Sequence, residues 1–451
     1  MRCMAQGAAF GRLISGAAVV LATVSGSLCA PSLAAEPAVA PPGFTPLFNG
    51  RDLTGWHGET TMAPAKWAAM APDELKLKRA ADQESVAAHW RVDPAGEIVN
   101  DGQGVYLTTD AAYGEAEFLV DWRIAPGADS AVYLRGTPQV QIWDFADPTK
   151  EAAGGAKGSG GLWNNSPGAA GKDPLVRADK PAGEWNRFRI VQLGDKTTVH
   201  LNDQLVVDAA TMENYWDRKR PLAATGPLQL QTHGGETRWR HLFVRPIPPD
   251  EANKRLRGTD PEGFVPVFNG RDLEGWAGAV DNYQVEDGAI VCKPGKGGTL
   301  HTTERFGDFV VRFEFQLPPG GNNGLAIRYP GSGDAAYAGM CELQVLDSEH
   351  EKYAKLDARQ YHGSAYGIAA AHRGYLRPTG AWNYEQVTVR GSTIKVELNG
   401  VTILDVDIGP IDTFMANSPH PGKDLKEGFF GFAGHGDPVR FRNVSIRRLD
   451  R

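Results

Sequence analysis

Short runs in which apolar and polar residues alternate recur along most of the chain. Phe118-Leu-Val-Asp-Trp-Arg-Ile124, Phe188-Arg-Ile-Val-Gln-Leu193, Phe309-Val-Val-Arg-Phe-Glu-Phe315 and Ile394-Lys-Val-Glu-Leu398 are rich in aromatic and β-branched residues, several with an apolar side chain at every second position. That period gathers the apolar set on one face of an extended segment, which predicts half-buried antiparallel strands. Leu201-Asn-Asp203 and Leu398-Asn-Gly400 fall between two such runs, where Asn followed by Asp or Gly accepts the positive φ of a tight hairpin turn. Many short strands joined by turns predict an all-β sandwich. Two stretches break the pattern. Pro72 to His89 reads as a helical insertion, and Pro248 to Pro261 as a charged, Pro-flanked linker with almost nothing apolar to bury.

The same pattern runs through the chain twice. Phe44-Thr-Pro-Leu-Phe-Asn-Gly-Arg-Asp-Leu-Thr-Gly-Trp56 returns as Phe264-Val-Pro-Val-Phe-Asn-Gly-Arg-Asp-Leu-Glu-Gly-Trp276. Later landmarks repeat in order: a Gly-rich turn into a strand ending in Arg (Gly127 to Arg135, Gly320 to Arg328), then Gln139-Val-Gln-Ile-Trp-Asp144 against Glu342-Leu-Gln-Val-Leu-Asp347. Gly183-Glu-Trp-Asn186 and Gly380-Ala-Trp-Asn383 follow, and finally His233-Gly234 and His435-Gly436. The unit is a whole domain, far longer than a solenoid repeat. The expected organisation is a leader over 1–35, a first sandwich over 44–247, a linker over 248–262 and a second sandwich over 263–449. Since each repeat carries the full set of landmarks, the two are expected to fold independently.

Composition narrows the class. A chain of 451 residues exceeds the ~250–300 at which single cores stop growing, which agrees with two domains. A net charge of −7 and the absence of any Lys/Arg-rich run offer nucleic acid no basic surface. Arg2 and Arg12 precede an apolar stretch from Leu13 to Ala30, with small residues at Ser32, Ala34 and Ala35, the layout of a secretory signal. The protein is therefore expected in the periplasm or outside the cell, with no membrane span once the leader is removed. Cys3 and Cys29 leave with that leader, and Cys292 and Cys341 remain as either one disulfide or two buried thiols.

The Phe-Asn-Gly-Arg-Asp-Leu-x-Gly-Trp opening, the Gly-x-Trp-Asn element and the late His-Gly resemble the 3-keto-disaccharide hydrolase domain family, once per repeat and over nearly all of the mature chain. Gly160-Gly-Leu-Trp-Asn-Asn165 and Glu213-Asn-Tyr-Trp-Asp-Arg218 look like one branch of it, and Gly363-Ser-Ala-Tyr-Gly367 like another. The resemblance implies two tandem concanavalin A-like jelly-roll domains acting on sugars whose C3 hydroxyl is oxidised to a ketone. Fold alone does not license that function.

The residues themselves constrain the chemistry. Glu342 and Gln344, two apart on a strand, share a face, with Asp347 at the strand's end. Glucanases of this architecture place two carboxylates on such a strand as nucleophile and acid/base. Repeat one has Gln139 and Gln141 there, and an amide can neither attack nor carry a proton. A 3-keto sugar requires less, because the ketone acidifies the C2 proton: one base and one enolate stabiliser suffice. Candidate bases are Glu342, His435 and Asp347 in repeat two and His233 and Asp144 in repeat one, with His best matched to neutral pH. His362 is a second candidate acid or a metal ligand. Arg328 and Arg135 are candidate anchors for sugar oxygens or an enolate, alongside Gln344, Gln139 and Gln141. Trp143, Trp163, Tyr366 and Tyr375 are candidate rings for stacking on a sugar, whereas Trp56, Trp276, Trp185 and Trp382 recur in both repeats as expected core.

Plainer roles stand beside these. Each His precedes a glycine and equally suits a strand end, and Asp144 and Asp347 equally suit turn caps. No His/Cys cluster has zinc spacing, and no cofactor is expected; a loop calcium suits the architecture but no residue pattern supports it. The alternative to an enzyme is a tandem lectin-like module that binds glycan without chemistry.

Overall fold

The computed structural model describes residues 39–258 and 263–449. The expected leader lies outside them. Each half of the chain stacks an eight-stranded sheet on a five-stranded one, and every strand pairing is antiparallel. In the first half the small sheet runs in the order Trp56–Glu59, Tyr106–Tyr113, Gly226–Leu230, Asp129–Leu134, Thr137–Trp143. In the second it runs Trp276–Gly278, Gly298–Phe306, Gly428–Gly434, Asn322–Tyr329, Cys341–Leu346. The two halves share one topology, and the protein is an all-β pair of jelly-roll sandwiches.

Alternation decides which side chains fill each core. Along Asn322–Tyr329 and Cys341–Leu346, Leu325, Ile327, Leu343 and Val345 point between the sheets and are fully buried with Phe430, Phe432 and Phe441. Trp122, Phe188 and Trp239 fill the first sandwich in the same way. Trp56 and Trp276 are buried, each with its indole N–H donated to a backbone carbonyl, of Leu47 and Val267. Trp185 and Trp382 are only half-buried and lie under arginines, Arg240 over the first and Arg442 over the second, each 4.0 Å from the ring centre. Pro72–His89 is a helix packed against the edge strand Trp56–Glu59. Cys292 and Cys341 are buried free thiols.

The stretch read as a plain linker does more than connect. Pro249–Arg257 is a helix that buries Ala252 and Asn253 completely. On one side Arg255, together with Arg245, donates to Glu117 in the first large sheet. Burial pushes the Glu117 carboxyl up, but the guanidinium groups of Arg255, Arg245 and Arg189 outweigh it and hold it near the bottom of the carboxylate range, at about 2. On the other side Asn253 donates to Glu314 in the second large sheet. Arg377 completes the contact with a two-pronged bond to Glu115, 2.9 Å to each oxygen, both side chains largely shielded from water. The expectation of independent repeats missed this interface because its contacts are polar, and hydrophobic patterning does not register them. Arg377→Ala leaves Glu115 shielded and unpaired, so unfolding free energy is expected to fall by about 2–4 kcal/mol. A denaturant titration that moves by less than about 0.5 kcal/mol, the size of a surface change, would restore the independent picture.

Candidate functional site

On each small sheet the residues between the core positions face outward. In repeat two that face carries Gly324 and Ala326, then Glu342 and Gln344 on the neighbouring strand, with Gly324 opposite Gln344 and Ala326 opposite Glu342. Gly431 lies opposite His301 on the other side. The floor is thus made of glycine and alanine, and a Cβ at Gly324 would collide with the Glu342 carboxylate. The short helix Ala335–Ala338 and Tyr366 flank this face, so Glu342 and Gln344 are each only 5% exposed.

His435 leaves the end of Gly428–Gly434 with about half its side chain in solvent, and its Nε2 lies 3.5 Å from Glu342 Oε1. Burial drives the Glu342 carboxyl above its ordinary range, partly countered by His435. The carboxylate in turn raises the histidine, against the opposing effect of burial. A proton held on Nε2 toward the buried carboxylate leaves Nδ1 with the free lone pair, on a ring about half exposed to solvent. Nearby, Gln344 Nε2 donates to Asn322 at 3.3 Å while its Oε1 has no partner among the described residues, an acceptor left for an incoming hydroxyl. Tyr366 joins the same cluster, its backbone N–H on the Glu342 carbonyl and its hydroxyl accepting from Gln360.

In repeat one the equivalent face carries Gln139, Gln141 and Trp143, and Gln139 donates to Gln141. His233 also pairs with a carboxylate, that of Asp129, at 3.1 Å. Asp129 further accepts from Gln141 Nε2 at 3.0 Å and from Lys150 Nζ at 3.1 Å. Trp143 is buried beside Lys150, and the half-buried Trp163 packs edge-on against it, so Trp163 backs this face rather than forming it.

Other candidates are placed elsewhere. Asp144 and Asp347 both cap the turn before the preceding strand, each accepting a backbone N–H at 2.8 Å, from Gly127 and Gly320. Arg135 and Arg328 are buried at the far end of their strands, at positive φ. Arg135 donates to the Ala223 carbonyl. Arg328 donates to the carbonyls of Gly307, Gly391 and Leu425 and pairs with Asp308. Burial pushes the Arg135 guanidinium down to about 10. These arginines tie loops to the sheet and do not face the histidines. His362 is enclosed between the sheets, stacked on Phe315 with Nε2 3.0 Å from the fully buried Glu385. The Tyr375 hydroxyl donates to the Pro221 carbonyl across the two repeats, away from either face. Sequence reasoning missed Asp129 and Lys150 in repeat one, and His301 and Asn322 in repeat two. Asp129, Asn322 and His301 lie on strands whose parity was readable but whose cross-strand neighbours were not, and Lys150 comes from the short 3-10 helix Pro148–Ala153 that follows the sheet.

The pattern that gives this geometry matches the model of the 3-keto-alpha-glucoside-1,2-lyase-like domain twice, over residues 43–245 and 263–447. The chain belongs to this family. A 3-keto-disaccharide hydrolase of Bacteroides thetaiotaomicron is 26% identical over 234 residues, covering 42% of this chain and 80% of that protein. Two crystal structures of candidate glycosyl hydrolases from Parabacteroides distasonis ATCC 8503 are also similar. One is 24% identical with a TM-score of 0.37, covering 42% of this chain and 95% of its own. The other is 25% identical with a TM-score of 0.34, covering 43% and 89%. Membership makes this tandem 3-keto-alpha-glucoside-1,2-lyase-like chain a carbohydrate-active protein of the 3-keto-disaccharide hydrolase type. Among the described residues no helix is long and apolar enough to cross a membrane, and no group of three or more His, Cys, Asp or Glu side chains is arranged to hold a metal ion.

Proposed function

We propose that repeat two cleaves 3-keto glycosides by elimination followed by hydration, with His435 as the base and Glu342 as its partner. The observation that carries this reading is the solvent-facing histidine backed by a buried carboxylate over a floor of glycine and alanine. His435 Nδ1 takes the C2 proton. The C–H pair becomes the C2=C3 bond, and the carbonyl pair moves onto O3. When the O3 pair re-forms the ketone, the C2=C3 pair makes C1=C2, the C1–O bond breaks with its pair on oxygen, and the leaving oxygen takes the proton back from the imidazolium. Addition of water across C1=C2 gives the free 3-keto sugar, so the net change is hydrolysis. No atom of the enzyme is consumed and no redox partner is required. Gln344, with its unpartnered oxygen, suits a sugar hydroxyl, and Tyr366 suits the rim.

The reading also fits the missing second carboxylate. Double displacement requires two carboxyl groups about 5–5.5 Å apart. The adjacent outward position on the Glu342 strand is an amide, Gln344, which supplies neither nucleophile nor proton.

The pH profile tests the pairing. His435 acts when neutral, and Glu342 raises its pKa. The acid limb of kcat/KM is therefore expected to rise through a midpoint above the ordinary histidine value of about 6.5. Glu342→Gln removes the charge that raises it, so the residual activity should show that limb at lower pH. His233→Ala is included in both chains so that one site reports. An acid limb that stays in place in the Gln variant would break the link between the two residues.

A further inference from the structure

We infer that repeat one holds a second catalytic site for 3-keto sugars, in which His233 is the base, Asp129 its positioning carboxylate and Lys150 the counter-charge for the developing enolate. This rests on the elimination reading of repeat two and extends it to a face where the carboxylate of that reading is absent.

The argument starts from register. Asp129 pairs with Trp143 at the end of its hairpin, as Asn322 pairs with Leu346 in the other repeat. Ala131 opposite Gln141 corresponds to Gly324 opposite Gln344. By the same spacing Gln139 occupies the place of Glu342. Repeat one has thus lost the carboxylate at one position of the face and carries one at another, where repeat two has an amide. Both arrangements lead to the same pair: a histidine with about half its side chain exposed, held by a carboxylate that is 6% exposed. The separation is 3.1 Å in repeat one and 3.5 Å in repeat two. A turn or packing requirement would be met by the same residue in both repeats, as it is at Asp144 and Asp347. Here the residue moves across to the next strand while the pairing stays.

The surroundings supply the remaining parts. His233 Nδ1 lies 3.1 Å from Asp129, so a proton held there toward the carboxylate leaves Nε2 with the free lone pair. Lys150 Nζ lies 3.1 Å from the same carboxylate oxygen and brings a positive charge beside the histidine. Gln231, on the strand that leads to His233, donates to the Tyr106 hydroxyl at 3.0 Å, and its buried Oε1 has no partner among the described residues. Gln141, which stands in the place of Gln344, has its own Oε1 bonded by Gln139, so in repeat one the unpartnered acceptor comes from Gln231 instead. Tyr106 and Tyr133, edge to face at 5.1 Å, fill floor positions that repeat two leaves to smaller side chains. A sugar ring in repeat one therefore lies further from the sheet, nearer the exposed histidine.

The step balances as in repeat two: the C2 proton goes to His233 Nε2, its electron pair passes through the enolate, and the C1–O bond breaks as the proton returns to the leaving oxygen. The experiment uses the full chain with Glu342→Gln and His435→Ala, which silences repeat two. Methyl 3-keto-glucoside in deuterated water reports exchange at C2 by NMR, and a 3-keto disaccharide reports cleavage. Both signals are expected to persist above the buffer blank. Adding His233→Ala should lower them by about 10²-fold or more. Adding Asp129→Asn should instead move the acid limb to lower pH, since Asp129 and Lys150 are the charged groups facing His233 and only Asp129 raises its pKa. If the unaltered chain turns over and the repeat-two variant is silent, this site is a binding face and the inference falls alone. Residual activity that His233→Ala leaves untouched also overturns it. An unaltered chain that neither exchanges nor cleaves overturns this inference and the elimination reading together.

Discussion

In a chain that already carries His233→Ala, replacing His435 with alanine is expected to lower kcat/KM on a 3-keto disaccharide by about 10²–10⁴-fold, the range a positioned base contributes. The substitution should leave the fold intact. His435 has about half its side chain in solvent and follows the last strand of the sheet, so little packing is lost. Glu342→Gln in the same background is expected to cost less, because the imidazole remains and only its orientation and basicity change. It is also a safe exchange for the sheet, since Gln139 occupies the equivalent place in repeat one and Gly324 already leaves room for the side chain. The order of the two effects carries the assignment. If Glu342→Gln abolishes turnover while His435→Ala retains most of it, the buried carboxylate is the base and the histidine its screen.

Much of the fold was legible because burial leaves a period in the sequence. Leu325, Ile327, Leu343 and Val345 had to alternate with outward residues for the strands to have one buried face, and the doubled Phe-Asn-Gly-Arg-Asp-Leu-x-Gly-Trp opening fixed the register of one half against the other. The contact between the halves was not legible. Arg377 to Glu115 and Asn253 to Glu314 are polar pairs between residues far apart in sequence, and a charged stretch that buries an alanine and an asparagine reads like any solvated linker.

The site divided along the same line. Glu342, Gln344 and His435 were singled out by parity and motif, and the structure places them together on one face. Arg328 and Asp347 stood at equally marked positions, but their side chains satisfy backbone groups of turns and loops, a demand that leaves no periodic trace. Asp129 was passed over for the opposite reason. It lies in an unremarkable stretch after a glycine turn, and its meaning comes from the pairing of its strand with Gly226–Leu230, which brings it beside His233 from 104 positions away. Sequence spacing shows which side chains share a face of one strand; which strands become neighbours is settled only when the sheet forms.

The sharpest expected result concerns the substrate's own chemistry. A single imidazole can remove the C2 proton of a 3-keto sugar because the negative charge passes onto O3, whereas in the parent sugar it would stay on carbon. An unoxidised disaccharide is therefore expected to give no turnover above the blank, while its 3-keto form is cleaved and exchanges C2 hydrogen with deuterated water. An unsaturated 2-hydroxy-3-keto sugar should appear in rapid-quench samples before hydration consumes it, and it should accumulate more if water addition is the slow step. A double-displacement hydrolase gives the reverse pattern, with cleavage of the parent and no exchange at C2, and it would need a second carboxylate where this sheet has Gln344. A binding module gives saturable affinity with neither signal. Cleavage of the unoxidised disaccharide at a rate comparable to its keto form would rule out elimination, and exchange at C2 without any cleavage would place the failure at the departure of the aglycone rather than at the base.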